Sequence, residues 1–354
     1  MNNRIITTSI VLICFALFVS CNREDDPSNP NNDGGGGGGG TPSVTHVYMA
    51  GTSSSNVFFG PAVCWEDGVQ HTLDANAYDA ARAACVLGSD VYYGGRDANS
   101  HPVLWKNGVP QGLSNEYGCV TDLTVANGKL YASGYVNSHP VYWEDGQIVS
   151  LPEDPNSYYS EYVTTAIYVS GNDIYVTGYS GSELNNGKGA YLWKNGVFQK
   201  LSDKESEAHD VCVYNNTVYV VGSEKYTEGG IQKSVMWVNG AVQDVQVTTN
   251  NGLGSKATAV AIKDGKPYVL AEGWIGSAYD GQYKGFVWHG GNVTNISNYG
   301  CDRPMALFIH NNDIYIAGAY GEYTNRPVLL KNLSKVTLDN GSTGQGWCLD
   351  IFVK

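Results

Sequence analysis

Positive charge is scarce in this sequence: 21 Lys and Arg stand against 34 Asp and Glu among 354 residues, a net charge of −13. Such a chain repels a phosphate backbone, so nucleic acid is excluded as a partner. Long hydrophobic runs are missing too. The apolar stretch from Ile5 to Val19 has 15 residues, whereas a membrane-spanning helix needs roughly 20. No Cys-x-x-Cys spacing occurs among Cys64, Cys85, Cys119, Cys212, Cys301 and Cys348, which removes the usual zinc arrangement. There is no Asp-x-Asp-x-Asp-Gly loop for calcium and no paired-carboxylate or His-Tyr-Arg signature of a glycan-cleaving site. The sequence calls for no cofactor and no metal.

What is present is a repeat. A hydrophobic-Tyr-hydrophobic segment ending in a small residue, as in Ile174-Tyr175-Val176-Thr177-Gly178, occurs seven times, centred on Tyr48, Tyr92, Tyr131, Tyr175, Tyr219, Tyr268 and Tyr315. The separations are 44, 39, 44, 44, 49 and 47 residues. Each unit carries strand signals and no helical one, so the period is that of propeller blades rather than of a helical solenoid. After each of the first six Tyr segments a tryptophan (Trp65, Trp105, Trp143, Trp193, Trp237, Trp288) precedes a Gly three residues on, and the seventh unit keeps only Leu330-Lys331-Asn332. Asn-Gly and Asp-Gly between apolar runs mark two-residue hairpins, because both central residues must take positive φ. The repeated Tyr and Trp are expected to pack between neighbouring sheets and to lie outside any site.

A further strand precedes each Tyr segment from Tyr92 onward. Its small or acidic marker stands nine residues earlier, at Ala83, Asp122, Ala166, Asp210, Ala259 and Ala306. A seventh copy, Asp350-Ile351-Phe352-Val353, has no Tyr segment after it, and the first Tyr segment has no such strand before it. The C-terminal strand is therefore expected to complete the N-terminal blade and close the ring. The fold class is all-β: a seven-bladed β-propeller over residues 45–354 with four antiparallel strands per blade. Asp122, Asp210 and Asp350 share one position in three non-adjacent blades, to hold either a cation in the channel or a hydrogen bond to the next blade's backbone. Cys85 and Cys212 read as small buried hydrophobes. A disulfide through Cys348 would lock the closure, but six thiols allow 15 complete pairings.

The unit resembles bacterial propeller repeats of the form Ala-x-Leu-Trp-x-Asn-Gly … Val-Tyr-Val-x-Gly, which are similar to kelch-type blades. That resemblance implies architecture and no particular activity. At the other end, Leu17-Phe18-Val19-Ser20-Cys21 resembles the lipobox of bacterial lipoproteins. It implies a signal peptide over 1–20, Cys21 as the lipidated first residue, and attachment to a membrane through the lipid alone. Glu24, Asp25 and Asp26 look like the acidic tag that directs some lipoproteins to the outer face of the outer membrane. Residues 21–44, with seven consecutive glycines from Gly34 to Gly40, cannot bury enough apolar surface to fold. They read as a flexible tether of about 25 Å.

Two connections in each blade are tight, and the other two vary. Strand alternation puts both variable sets on one face, where function is sought. One set carries aromatics just before the innermost strand: Tyr78, Tyr117, Tyr162, Tyr299 and Trp347. They either stack on sugar rings at the channel mouth or plug gaps between blades. Cations join them: Arg82 and His209 at one shared position, Arg303 close to it, and His101, His139 and Arg326 in the other loop set. In so acidic a chain these basic groups suggest a field that receives a carboxylate or sulfate. The connection from Glu272 to Gly285 reads as the longest loop, with Trp274, Tyr279 and Tyr283 as candidate contacts.

The reading that unites these features is a cell-surface lipoprotein that binds a glycan or polysaccharide without altering it. Two alternatives stand beside it. One is a propeller lyase or glycoside hydrolase acting on an acidic glycan, and the other is a scaffold that docks on an outer-membrane transporter.

Overall fold

The computed structural model describes residues 44–54, 60–76, 80–155, 161–181, 189–226, 231–247, 254–276, 281–321, 324–339 and 344–354. Cys21, Tyr78 and Tyr279 lie outside the described residues, as do the signal peptide and nearly all of the tether. The described residues form seven four-stranded antiparallel sheets. The inner strands are Ala81–Leu87, Gly118–Ala126, Tyr162–Ser170, Ser206–Tyr214, Ser255–Lys263, Arg303–His310 and Trp347–Val353. Each packs beside the inner strand of the next blade, and Trp347–Val353 closes the circle between the last and the second. The protein is a seven-bladed β-propeller.

Closure is made as the sequence predicts. Trp347–Val353 pairs with Val47–Thr52, in the order that places it innermost in blade 1. Beyond the ladder, His46 and Lys354 exchange two backbone hydrogen bonds of 2.7 and 2.9 Å. None of the six cysteines from Cys64 onward is in a disulfide, and all are buried. Burial pushes the Cys64 thiol up to about 12 and lifts Cys301 and Cys348 further. Strand pairing and side-chain bonds, rather than a disulfide, hold the ends together.

The local rules behind the repeat are visible in the hairpins. Asp67, Asn107, Asp145, Asn195, Asn239 and Asn332 all have φ between 47° and 51°, the left-handed conformation these residues tolerate best. Their side chains do a second job. Asn195 Oδ1 accepts the Ile174 N–H at 2.8 Å, and Asn107, Asn239 and Asn332 do the same for Val91, Val218 and Ile314. The turn residue thus pins the start of the Tyr strand, which explains why Asn and Asp recur there. The tryptophan before the turn is buried in blades 1 to 5. Trp65 and Trp193 donate their ring N–H to carbonyls of the preceding blade's exit loop, Asp339 and Pro152.

Every inner strand carries a β-bulge at the same place, with Arg82, Thr121, Thr165, His209, Thr258, Met305 or Leu349 as the extra residue. A bulge adds local twist, and here it also turns a side chain between blades. Thr165 donates to Ala208 O, Thr258 donates to Pro304 O, and His209 Nδ1 lies 2.7 Å from Ala257 O, each reaching the blade that follows. The small residue three beyond the repeated Tyr faces this bulge. A Cβ on Gly178, Gly222 or Gly318 would run into the carbonyl of Val163, Glu207 or Arg303. Asp122, Asp210 and Asp350 follow the bulge and make the neighbour-blade bonds. Their Oδ2 atoms accept the N–H of Ile167, Val260 and Ala84 at 2.7–2.8 Å, and Oδ1 takes the N–H of the next residue.

Candidate functional site

A cleft of about 380 Å³ opens between blades 6 and 7. It is built where two blades contribute charge and aromatic rings to the same face. Blade 6 supplies Trp274 from near the end of Lys266–Ile275, and Gln282, Tyr283 and Lys284 from the start of Gln282–His289. Blade 7 supplies Arg303, the first residue of its inner strand, and Tyr320, the last of its second. Asp302 precedes Arg303, and Ser297 and Asn298 come from the short 3-10 helix Ile296–Tyr299.

The expected long loop is shorter than the sequence suggests. Both strands run on into it, pairing Glu272 with Gly285, Trp274 with Tyr283 and Ile275 with Gln282. Aromatic residues directly opposite one another favour strand pairing, so Trp274 and Tyr283 extend the hairpin instead of decorating a loop. Their rings meet edge to face, 4.9 Å apart at 84°.

Beneath the rings lies an ion triad. Glu272 is buried in blade 6, and its carboxylate receives Lys256 Nζ at 2.8 Å on one oxygen and Arg303 Nε at 2.6 Å on the other. Burial by itself would raise this carboxyl, but the Arg303 and Lys256 charges outweigh it and hold the group at about 2. The Arg303 guanidinium lies 3.9 Å over the Tyr283 ring and 5.4 Å from that of Trp347. Its charge is therefore fixed by Glu272 below and stacked on an aromatic face, an arrangement suited to a planar guanidinium. Asp302, only 9% exposed, has Lys284 Nζ 3.5 Å from Oδ1 and accepts a long 3.3 Å bond from Gly321 N–H on Oδ2. Among the described residues its buried Oδ1 accepts no hydrogen bond.

The sign of the pH effect follows from the triad. A carboxyl held below its ordinary 4.5 in the folded protein contributes stability that is present above about pH 4.5 and lost as pH falls toward 2. Glu272→Gln mimics the protonated acid. The variant is expected to be about 2 kcal/mol less stable than the parent at pH 7. Urea unfolding at a series of pH values should show that gap closing toward pH 2. A gap independent of pH would mean that Glu272 acts by shape and not by charge.

The sequence-predicted residues divide by place. Trp274, Tyr283 and Arg303 line the cleft, and Trp347 is buried beside Arg303. Tyr299 is exposed on the 3-10 helix next to Asn298, and Arg326 is exposed opposite Tyr320. Tyr117, 47% exposed, stands across the ring at blades 2 and 3, where Arg96 Nη1 donates to its hydroxyl at 3.2 Å. His101 and His139 are on those same blades, paired with Asp97 and Glu153. Tyr162 is buried, with its hydroxyl accepting Asp154 N–H.

Arg82 and His209 are not the exposed rim cations that their shared position suggests. Both are the bulge residue and buried between blades, and His209 Nε2 lies 2.9 Å from Glu207. Arg303 escapes that fate because it stands two residues ahead of its bulge at Met305. The sequence reading missed Lys256, Lys284, Asp302 and Tyr320. Only the position of Asp302 beside Arg303 offered a signal.

No protein-family model matches the chain, and no curated protein matches it. Among solved structures it is similar to a puromycin hydrolase, at 10% identity and a TM-score of 0.53, over 82% of this chain and 51% of that one. It is also similar to a puromycin-hydrolyzing peptidase of Mycobacterium tuberculosis, at 11% and 0.49 over 81% and 49%. A third is the β-propeller domain of the Trilobed protease from Pyrococcus furiosus, at 10% and 0.46 over 77% and 84%. The chain spans about half the length of the first two. Likeness at this identity shows the propeller fold alone.

Proposed function

We propose that this protein binds carbohydrate without altering it, as a lipoprotein held at the outer face of the outer membrane by the acylated Cys21. The cleft between blades 6 and 7 is the binding site. The observation that carries the reading is the edge-to-face pair of Trp274 and Tyr283 beside Tyr320, with Arg303 and Asp302 at the base. Aromatic walls offer faces for the apolar sides of sugar rings, and a few convergent polar groups fix orientation. The export and anchor part rests on the run Ile5–Val19, on Cys21 and on the tether. Among the described residues no helix is long and apolar enough to cross a membrane.

Glu272 is not placed to act as the general acid of a cleaving site. A glycosidase needs a carboxylic acid that is still protonated near neutral pH. Glu272 is held ionised, with both oxygens committed to Arg303 and Lys256.

The test is affinity of residues 45–354 for a panel of polysaccharides by calorimetry or glycan array. Trp274→Ala is expected to weaken binding at least about 10-fold. Tyr117→Ala, three blades away, is expected to leave it unchanged. Absence of binding to every glycan by the folded protein would overturn the reading, and release of shortened products would replace it with the hydrolase or lyase alternative.

A further inference from the structure

The described residues of the cleft carry a surplus of positive charge in a chain of net −13. Among the described residues that line it or touch its walls, Lys256, Lys284, Arg303 and Lys335 face only Glu272 and Asp302. Lys335 Nζ stands 5.9 Å over the Tyr320 ring. Among the described residues two cations are thus left over where the protein as a whole repels anions, and a cleft with low-dielectric walls focuses their field on whatever enters.

The surplus has a geometry. Glu272 binds Arg303 through Nε, and the guanidinium is clamped over Tyr283. The two terminal nitrogens of Arg303 make no hydrogen bond among the described residues. A guanidinium held at one edge presents its other nitrogens as a planar fork, the shape that matches a carboxylate in two parallel bonds. Asp302, next to Arg303, has Lys284 Nζ 3.5 Å from its carboxylate and forms part of the same wall.

Resting on the carbohydrate reading above, we infer that the ligand is an acidic sugar, a uronic-acid residue of a polysaccharide. Its carboxylate sits on the free end of Arg303 beside Lys284, and the ring lies against Trp274 or Tyr320. A volume of about 380 Å³ is near the lower end of the roughly 300–1,000 Å³ typical of small-molecule pockets. That fits one or two sugar units rather than a long segment.

The experiment compares uronate oligosaccharides (galacturonate, glucuronate and mannuronate series) with the same oligosaccharides after chemical reduction of their carboxyls to primary alcohols. At least one native series is expected to bind, with affinity falling about 100-fold on reduction and falling with added salt. Lys284→Gln, a partly exposed position outside the Glu272 triad, should lower affinity for the native series about 5-fold. Arg303→Lys should abolish the preference while keeping the charge. Unfolding midpoints of both variants separate lost binding from lost structure. Equal binding of native and reduced oligosaccharides, or binding confined to neutral or sulfated glycans, overturns the acidic-sugar assignment and leaves carbohydrate binding standing. No binding of either form by the folded protein overturns both.

Discussion

Deleting Trp347–Lys354 is expected to leave a chain without a cooperative unfolding transition. The segment supplies the inner strand of blade 1, and Trp347, Cys348, Leu349, Ile351 and Val353 are all buried within it. At about 1.5–3 kcal/mol for each large apolar side chain, that burial is worth roughly 10 kcal/mol, comparable to the whole stability of a typical domain. Two further links go with it: Asp350 no longer accepts the Ala84 N–H of blade 2, and Lys354 no longer pairs with His46. Val47–Thr52 would then present an unpaired edge, an invitation to aggregate. Circular dichroism with thermal melting and size-exclusion chromatography check the outcome. A monomeric truncated chain that melts cooperatively would show that the remaining six blades stand without the closing strand.

Trp193→Ala is expected to cost about 4 kcal/mol, the range for emptying a buried Trp site. Trp193 is fully buried, meets the Phe198 ring edge-on at 6.2 Å, and donates its Nε1–H to Pro152 O at 2.7 Å. The change leaves both a cavity and an unpaired carbonyl on the preceding blade's exit loop. Trp193→Phe keeps most of the apolar contact and loses the bond, so a cost nearer 2 kcal/mol is expected. Trp288→Ala serves as the comparison, because that copy of the repeat is only partly buried and its loss should be the smallest of the three. Guanidinium unfolding midpoints give the order directly. Equal costs at Trp193 and Trp288 would remove inter-blade burial as the explanation.

The contrast between Arg303 and His209 shows where sequence reasoning stops. Both stand near one position of the inner strand, and nothing in the local residue pattern separates them. A single bulge decides the matter. His209 is the extra residue and is turned into the seam between blades, whereas Arg303 lies two residues earlier, at the strand's mouth. Tyr162 and Tyr299 divide in a similar way, one buried under Asp154 and the other exposed on a helical turn.

Blade number, strand order and ring closure were written in the chain itself, because each depends on short-range chemistry repeated seven times. The left-handed Asn or Asp of the hairpin, the Tyr strand it pins and the Gly opposite the bulge all lie within one unit. The cleft was not legible in that way. Lys256, Glu272, Lys284, Arg303 and Tyr320 span 65 positions and two blades. Only the packing of one sheet against the next brings their charges and rings within bonding distance, and electrostatic and stacking energies depend on that distance and not on order along the chain.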